Sequence, residues 1–357
     1  MKKFVATVVA VATVFSLATG CAKLTDITDI SEIAENSEVS SLVSEVQDIV
    51  DEVNVNAPTQ DRAGNDIKVP AKVETIVSMA PSTTQFLIDL GLGDKIVGID
   101  TNSATYLDKL PANVAQFDMM NPDNEAIAAL KPDIVFTSGM SSVGGTSPFQ
   151  SLIDSGICVD DIPSPSSVEG IEEDLKFIGA CVGKGVEAAA YAKGLGLFMD
   201  GVKEQANTIP DEEKKTVLVM MNVPSAEYPT VYTFGKGTYM NEMIEAVGAK
   251  NVFAEQEGWL AVSVEEVLAA NPDIILMDCN WDPNAAEEVK ALEGWENVTA
   301  IQNGAVYAID EDLCSRPNQH IAEAVIEWGK VIYADKFGDF SKSIDDFTND
   351  LIEDIVA

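Results

Sequence analysis

Two stretches of the chain carry the same alternation of polar and apolar positions. "NPDNEAIAALKPDIVF" runs from Asn121 to Phe136, and "VSVEEVLAANPDIIL" runs from Val262 to Leu276. Each has a Glu seven positions before a Pro-Asp pair, Glu125 before Pro132 and Glu265 before Pro272. Between Glu and Pro the apolar residues fall at helical spacing, Ile127 and Leu130 in one copy, Val267 and Leu268 in the other. After each pair comes a short unbroken apolar run, Ile134-Val135-Phe136 or Ile274-Ile275-Leu276, the mark of a buried strand. The pattern therefore predicts, twice, a short helix, a proline-closed turn and a strand. Glu125 and Glu265 are 140 positions apart, too long a period for a solenoid. The duplication points to two related lobes.

The same alternation extends around both copies. "VETIVSMAPS" reads as a buried strand entering a Pro-Ser-Thr helix start, "TQFLIDLGLGD" as a helix ending in Gly, and "KIVGID" as the next strand. "KTVLVMMNVPS" and "GTYMNEMIEAVGAKNVF" echo this in the second half. Between the halves, residues 186–208 are Ala-rich, free of Pro and without a strand-like run, which predicts one long joining helix. The expectation is an α/β protein of two Rossmann-like lobes, residues 61–185 and 209–357, with a ligand cleft between them. Loops from the strand ends would line it: "SMAPST", "DTNSATY", "SGMSSVGG", "NVPSAEYP", "DCNWDP" and "DEDLCSRPNQ". They are rich in Met, Ser, Asn and aromatics and poor in charge, which suits a large, mildly polar ligand.

The N-terminus changes the picture. Met1-Lys2-Lys3 precedes an apolar stretch from Phe4 to Leu17 and then "LATGC", a positive region, a short apolar core and a small-residue cleavage site. Cys21 directly follows Gly20, so residues 1–20 resemble a lipoprotein signal peptide with Cys21 as the diacylated mature N-terminus; an ordinary signal peptide is the alternative. Residues 21–60 turn to Thr, Ser, Asp, Glu and Asn, an acidic stalk lifting the body from the membrane. The expected location is extracytoplasmic, lipid-anchored to the cell membrane.

Charge then removes partners. The chain has 59 acidic against 22 basic residues, a net charge of −37, which disfavours nucleic acid and anionic headgroups. Besides Cys21 there are Cys158, Cys181, Cys279 and Cys314, whose spacing fits no zinc pattern and whose three possible pairings stay open. No metal site and no cofactor is expected.

A lipobox, an acidic stalk, two α/β lobes, a joining helix and a doubled Glu-helix-Pro-Asp-strand together resemble the substrate-binding proteins of ABC importers for cobalamin, ferric siderophores or haem, the class III periplasmic binding proteins. The resemblance covers residues 61–338 and rests on "IVSMAPSTTQFLIDLGLGDKIVGI", "NEAIAALKPDIVF", "YTFGKGTYMNEMIEAVGAKNVF", "SVEEVLAANPDIIL" and "SRPNQHIAEAVIEWGKVIYADKF". Gln85 departs from the Glu that many relatives carry, so no carboxylate role transfers there. "YTFGKGT" resembles the cobalamin-binding branch most. That branch implies Met119, Tyr232, Trp259 and Arg316 as ligand-binding residues, Met119 standing where better-known cobalamin binders have an aromatic. Met119 and Trp259 each lie six positions before the repeated Glu. Trp281 is a weaker candidate.

The resemblance further implies a monomer that delivers a corrinoid to an ABC permease dimer with its ATPase subunits. Ferric siderophore and haem are the alternatives, haem through axial ligation by Tyr, Met or His320. Glu125 and Glu265 would be permease-docking residues, one per lobe. Read as helix chemistry alone, they are first-turn carboxylates behind the caps Asp123 and Ser263, with Glu266 completing a capping box. The joining helix implies a small lobe closure.

An enzyme is the remote reading, as a hydrolase. The single histidine, His320, opens a helix, and no GxSxG elbow or HExxH pair is present. "GKGT" at Gly235 lacks the earlier Gly of a phosphate loop, since position 230 is Thr.

Overall fold

Lys131 and Asn271 are the non-glycine residues of positive φ among the described residues, at 55° and 46°, and each stands directly before the proline of its repeat. A residue preceding proline is kept out of the right-handed helical region, so the helix must end there, and a left-handed residue turns the chain. In a computed structural model the structure describes residues 57–141 and 147–340, with 343, 344 and 348. The signal peptide, Cys21 and all but the last few residues of the stalk lie outside the described residues.

The strands are β1 (Ile76–Ser78), β2 (Ile96–Asp100), β3 (Ala115–Phe117), β4 (Ile134–Ser138), β5 (Cys158–Ile162), β6 (Thr216–Met220), β7 (Thr230–Phe234), β8 (Lys250–Asn251), β9 (Trp259–Ser263), β10 (Ile274–Met277) and β11 (Val306–Ala308). The helices are α1 (Pro81–Asp89), α2 (Asn124–Ala129), α3 (Gln150–Asp154), α4 (Val168–Val182), α5 (Gly185–Ala206), α6 (Tyr239–Ala246), α7 (Val264–Ala270), α8 (Ala285–Lys290), α9 (Thr299–Gln302), α10 (Glu311–Cys314), α11 (Ile321–Ile332) and α12 (Ala334–Phe337).

The chain divides into two α/β units. The first takes residues up to Pro163 and Glu173–Gly194; the second takes Ser164–Glu172 and Leu195–Ile344. Two helices link them: α4 spans the division at 172/173 and α5 spans it at 194/195. The sequence pattern pointed to the second alone.

The first unit holds a five-stranded parallel sheet in the order β3-β2-β1-β4-β5, the second a four-stranded parallel sheet in the order β11-β10-β6-β8. In both, the strand after Pro-Asp lies beside the unit's first strand: Ile134 pairs with Ile76, and Ile274 with Val217. β1, β4 and β10 are buried along their whole length, which is why they read as unbroken apolar runs. The order of strands reverses between β1 and β4, and between β6 and β10, so loops at those C-terminal ends are where such sheets take ligands.

The Pro-Asp carboxylate ties these neighbours together. Asp133 Oδ2 accepts from Glu74 N at 2.8 Å, Thr75 N at 2.9 Å and Thr75 Oγ1 at 3.0 Å. Asp273 Oδ2 accepts from Thr216 N at 2.8 Å and Thr216 Oγ1 at 2.9 Å. Each Asp thus satisfies an N–H at the entry of the neighbouring first strand, where the sheet ladder offers none. Two positions after the repeated Glu, Ile127 and Val267 are fully buried, each contributing about 1.5–3 kcal/mol relative to exposure. Ile127 packs with Val77, Phe117 and Val135; Val267 packs with Leu218, Ile275 and Trp295.

The first described turn is fastened to the first unit. Asp61 caps it, accepting from Ala63 N at 3.0 Å and Asn65 N at 2.8 Å, and also accepts from Asp161 N at 3.0 Å. Arg62 reaches Asp174 and Glu173 of α4, each at 2.6 Å.

Candidate functional site

In the second unit, two strands stand apart from the parallel sheet. β7 and β9 pair antiparallel, Tyr232 opposite Ala261 and Phe234 opposite Trp259. Directly opposed side chains share a face, so Tyr232 and Trp259 lie on the same side, 54% and 50% exposed. The opposite side carries Val231, Thr233 and Val262, all buried. β7 would have an open edge beyond Tyr232, but Asn222 fills it. Its Oδ1 accepts from Tyr232 N at 2.8 Å and its Nδ2 donates to Thr230 O at 2.9 Å, as a neighbouring strand would.

The Trp259 ring is anchored edge-on against Phe234, with centroids 6.0 Å apart at 79°, and against Tyr239, 6.3 Å apart at 69°. Such contacts hold a half-exposed aromatic in one orientation. The "GKGT" turn between β7 and α6 closes this sheet. Gly235 is required because an added Cβ would stand 2.0 Å from Gln256 O, and Thr238 caps α6 by accepting from Asn241 N at 3.2 Å. The turn is packing chemistry.

Tyr239 also joins this face to Arg316. Buried at 2% exposure, it donates its hydroxyl to Cys314 O at 3.0 Å. Cys314 ends α10, which Asp310 caps by accepting from Asp312 N at 2.9 Å. Arg316 Nη2 is ion-paired to Asp312 Oδ1, and its side chain is 13% exposed. Below this turn Asp278, at the end of β10, is 3% exposed. Burial pushes its carboxyl up to about 6, against hydrogen bonds from Ser315 and Cys314.

Tyr232, Trp259 and Arg316 thus belong to one unit and are connected through Tyr239. Met119 belongs to the other. It is 8% exposed, packed in that unit's core, and its Sδ accepts from Asn102 Nδ2 at 3.5 Å. Its neighbour Met120, 49% exposed, presents the side chain to solvent. A buried polar chain underlies the adjoining loops. Asp100 accepts from Ser103 Oγ and from Asn102 N at 2.8 Å, Ser103 meets Thr84 at 3.1 Å, and Thr84 meets Ser78 at 2.8 Å. Gln85 is half-buried on α1.

Trp281 is 69% exposed after β10, and Tyr228, which pattern reasoning did not single out, is 70% exposed in the loop before β7. His320 precedes α11, its Nδ1 3.5 Å from Glu323 Oε2. The four described cysteines are free and buried. Cys158 and Cys181 donate to the two oxygens of Asp160 at 3.3 and 3.4 Å; burial pushes the Cys158 thiol up to about 12 and the Cys181 thiol further. Thiols so placed stay protonated and unreactive. Among the described residues no cluster of His, Cys, Asp and Glu could hold a metal, and no helix is long and apolar enough to cross a membrane.

Glu125 and Glu265 are both exposed, each the second residue of its helix. Asp123 caps α2 by accepting from Ala126 N at 3.0 Å. Ser263 and Glu266 form a reciprocal capping box on α7: Glu266 N donates to Ser263 Oγ at 3.2 Å, and Ser263 N donates to Glu266 Oε2 at 2.8 Å. Glu266 therefore does the capping, and Glu265 is not needed for it.

A model of the periplasmic binding protein family matches residues 76–313. The ABC transporter substrate-binding lipoprotein YvrC of Bacillus subtilis is 32% identical over 277 residues, 78% of this chain and 85% of that protein. A cobalamin-binding protein of Halobacterium salinarum is 26% identical over 271 residues, 74% of this chain and 70% of that one. A solved structure from Staphylococcus epidermidis, described as a possible iron-binding periplasmic solute-binding protein, superposes with a TM-score of 0.63 at 29% identity, covering 73% of this chain and 99% of that chain.

Proposed function

Because this chain belongs to the periplasmic binding protein family, and so is a non-catalytic substrate-binding protein of an ABC importer, we propose that its ligand is a corrinoid such as cobalamin. The observation that carries this reading is the Tyr232–Trp259 face, two half-exposed aromatics on one strand pair, joined through Tyr239 to the turn of Arg316. A corrin is bulky, largely apolar and edged with amides. Flat aromatic surfaces and one guanidinium suit it. Ferric siderophores are commonly anionic and call for several cations; across the six strand-end loops, Arg316 is the one Lys or Arg. The relative named for cobalamin binding supports the same reading.

On the first unit we assign the ligand contact to the loop of Met119, with Met119 as its buried footing and Met120 as the side chain that meets the ligand. The chain would capture its ligand as a monomer. A lipid on Cys21 and the stalk of residues 21–60 would hold the body outside the cytoplasmic membrane. Glu125 and Glu265 would dock the two units on the permease dimer that its ATPase subunits drive.

A second reading, iron in a siderophore or in haem, is favoured by the name of the Staphylococcus epidermidis structure. Absorbance titration of the purified chain with cyanocobalamin, haemin and a panel of ferric siderophores separates them. Saturable binding of cyanocobalamin alone is expected. Tight binding of a siderophore or haemin without a corrinoid response would replace the proposal.

A further inference from the structure

β10 hands the chain from Met277 to Asp278, whose N–H donates to Met220 O at 2.8 Å while its side chain turns inward. A carboxylate taken out of water is costly unless its oxygens are used. Both are, by one short segment. Oδ1 accepts from Cys314 Sγ at 3.2 Å, and Oδ2 accepts from Ser315 Oγ at 2.6 Å. The next residue is Arg316. From the other side Tyr239 holds Cys314 O, and Arg316 itself pairs with Asp312 one turn earlier.

We propose that Asp278 is a positioning residue of the ligand site: through Cys314 and Ser315 it fixes the turn that carries Arg316, without meeting the ligand. This inference rests on the proposed role of Arg316 in ligand capture. An arginine loses much side-chain freedom when it binds, and a turn already set in place reduces that cost. Asn at position 278 would keep the shape but replace one acceptor oxygen by an NH2 donor, so the bond from Cys314 is lost or that from Ser315 must reverse, and whichever bond is kept loses its charged acceptor.

The hold of Asp278 on this turn depends on pH. The groups facing Asp278 are Tyr239 from α6, Cys279 beside it, Asp310 with Glu311 and Cys314 at α10, and Glu327 of α11 nearby. Burial and the neighbouring carboxylates Glu311 and Asp310 favour the protonated form, and a proton on Asp278 converts an acceptor oxygen into a donor. Below about pH 6 the clamp on the Arg316 turn therefore loosens.

The test uses the mature chain as wild type, Asp278→Asn and Ser315→Ala, titrated with cyanocobalamin at about pH 7.5 and about pH 5. Hydrogen exchange of peptides covering residues 310–318 is followed on the same samples. Each variant should weaken Kd by about tenfold at the higher pH, the worth of one hydrogen bond to a charged group. Asp278→Asn should also lose the pH step, and faster exchange should be confined to that segment. Unchanged exchange in the segment, or a loosening of the whole protein, overturns the proposal. If the wild type binds no cyanocobalamin, the ligand reading fails separately. Exchange alone then decides: a local rise in both variants upholds the positioning role, and no local rise ends it.

Discussion

Tyr239 meets Trp259 edge-on, ring centroids 6.3 Å apart at 69°, while its hydroxyl donates to the carbonyl of Cys314 at 3.0 Å. One buried side chain therefore fixes both an exposed aromatic and the turn leading to Arg316. Ring and hydroxyl can be separated by mutation. Tyr239→Phe keeps the ring contact and leaves Cys314 O without this donor, so it should cost about 1–2 kcal/mol in urea unfolding. Trp259→Ala removes a half-exposed ring, so it should weaken cyanocobalamin binding about tenfold or more with a smaller loss of stability. Calorimetry beside chemical unfolding checks both, and a Trp259→Ala protein that binds normally would remove Trp259 from the site.

The two left-handed residues should answer differently to glycine. Lys131 holds its conformation with no side-chain hydrogen bond among the described residues, so Lys131→Gly should gain about 1 kcal/mol. Asn271 has the same φ sign, but its Oδ1 accepts from Thr299 N at 2.8 Å. Asn271→Gly relieves strain and loses that bond, so it should gain nothing or lose up to about 1 kcal/mol. Equal gains at both positions in denaturant melts would contradict this account of the repeat.

Much of this fold was legible because its signals are local. An unbroken run such as Ile274-Ile275-Leu276 states its own burial, and Ser263 with Glu266 announces a helix start within four residues. What escaped depends on contacts distant in sequence. Asp278 and Ser315 are 37 positions apart, and no pattern in either segment names the other. Asn222 acts as a strand partner from outside a strand. Counting from the repeated Glu puts Met119 and Trp259 at matching positions, yet the first is core and the second half exposed. The loop after β3 has no regular period, so counting cannot tell which of Met119 and Met120 turns inward.

Acid should stabilise the fold over a limited range. Burial pushes Asp160, Asp174 and Asp278 each up to about 6. Unfolded, these groups titrate near 3.9, so between about pH 4 and 6 the folded state holds extra protons, and stability falls as pH rises through that window. Asp133 works the other way. Its carboxyl is held low, first by the Glu74 N–H, and its contribution is present above the ordinary aspartate range and lost as pH falls below it. Tm should therefore be higher at about pH 5 than at about pH 7.5, even though the Asp278 clamp predicts weaker ligand binding at the lower pH. A Tm that climbs from pH 5 to 7.5 would contradict the raised titration of these three carboxyls.

Glu125 and Glu265 should be silent in ligand binding. Both are exposed, and Glu265 leaves the capping of α7 to Glu266. Replacing both by Gln should leave Kd unchanged while uptake, or ATP hydrolysis by the reconstituted transporter, falls more than with either single change. Normal transport by the double variant, or a parallel loss of ligand binding, would refute the docking role.

The central claim is that the Tyr232–Trp259 face and Arg316 take a corrinoid, and equilibrium dialysis of the purified chain against radiolabelled cyanocobalamin tests it most directly. Unlabelled haemin and ferric siderophores serve as competitors, and Trp259→Ala and Arg316→Ala as controls. The account predicts one saturable site per chain, undisturbed by either competitor and weakened in both variants. No retained cyanocobalamin, or its displacement by a siderophore or haemin at lower concentration than unlabelled cyanocobalamin, would contradict it.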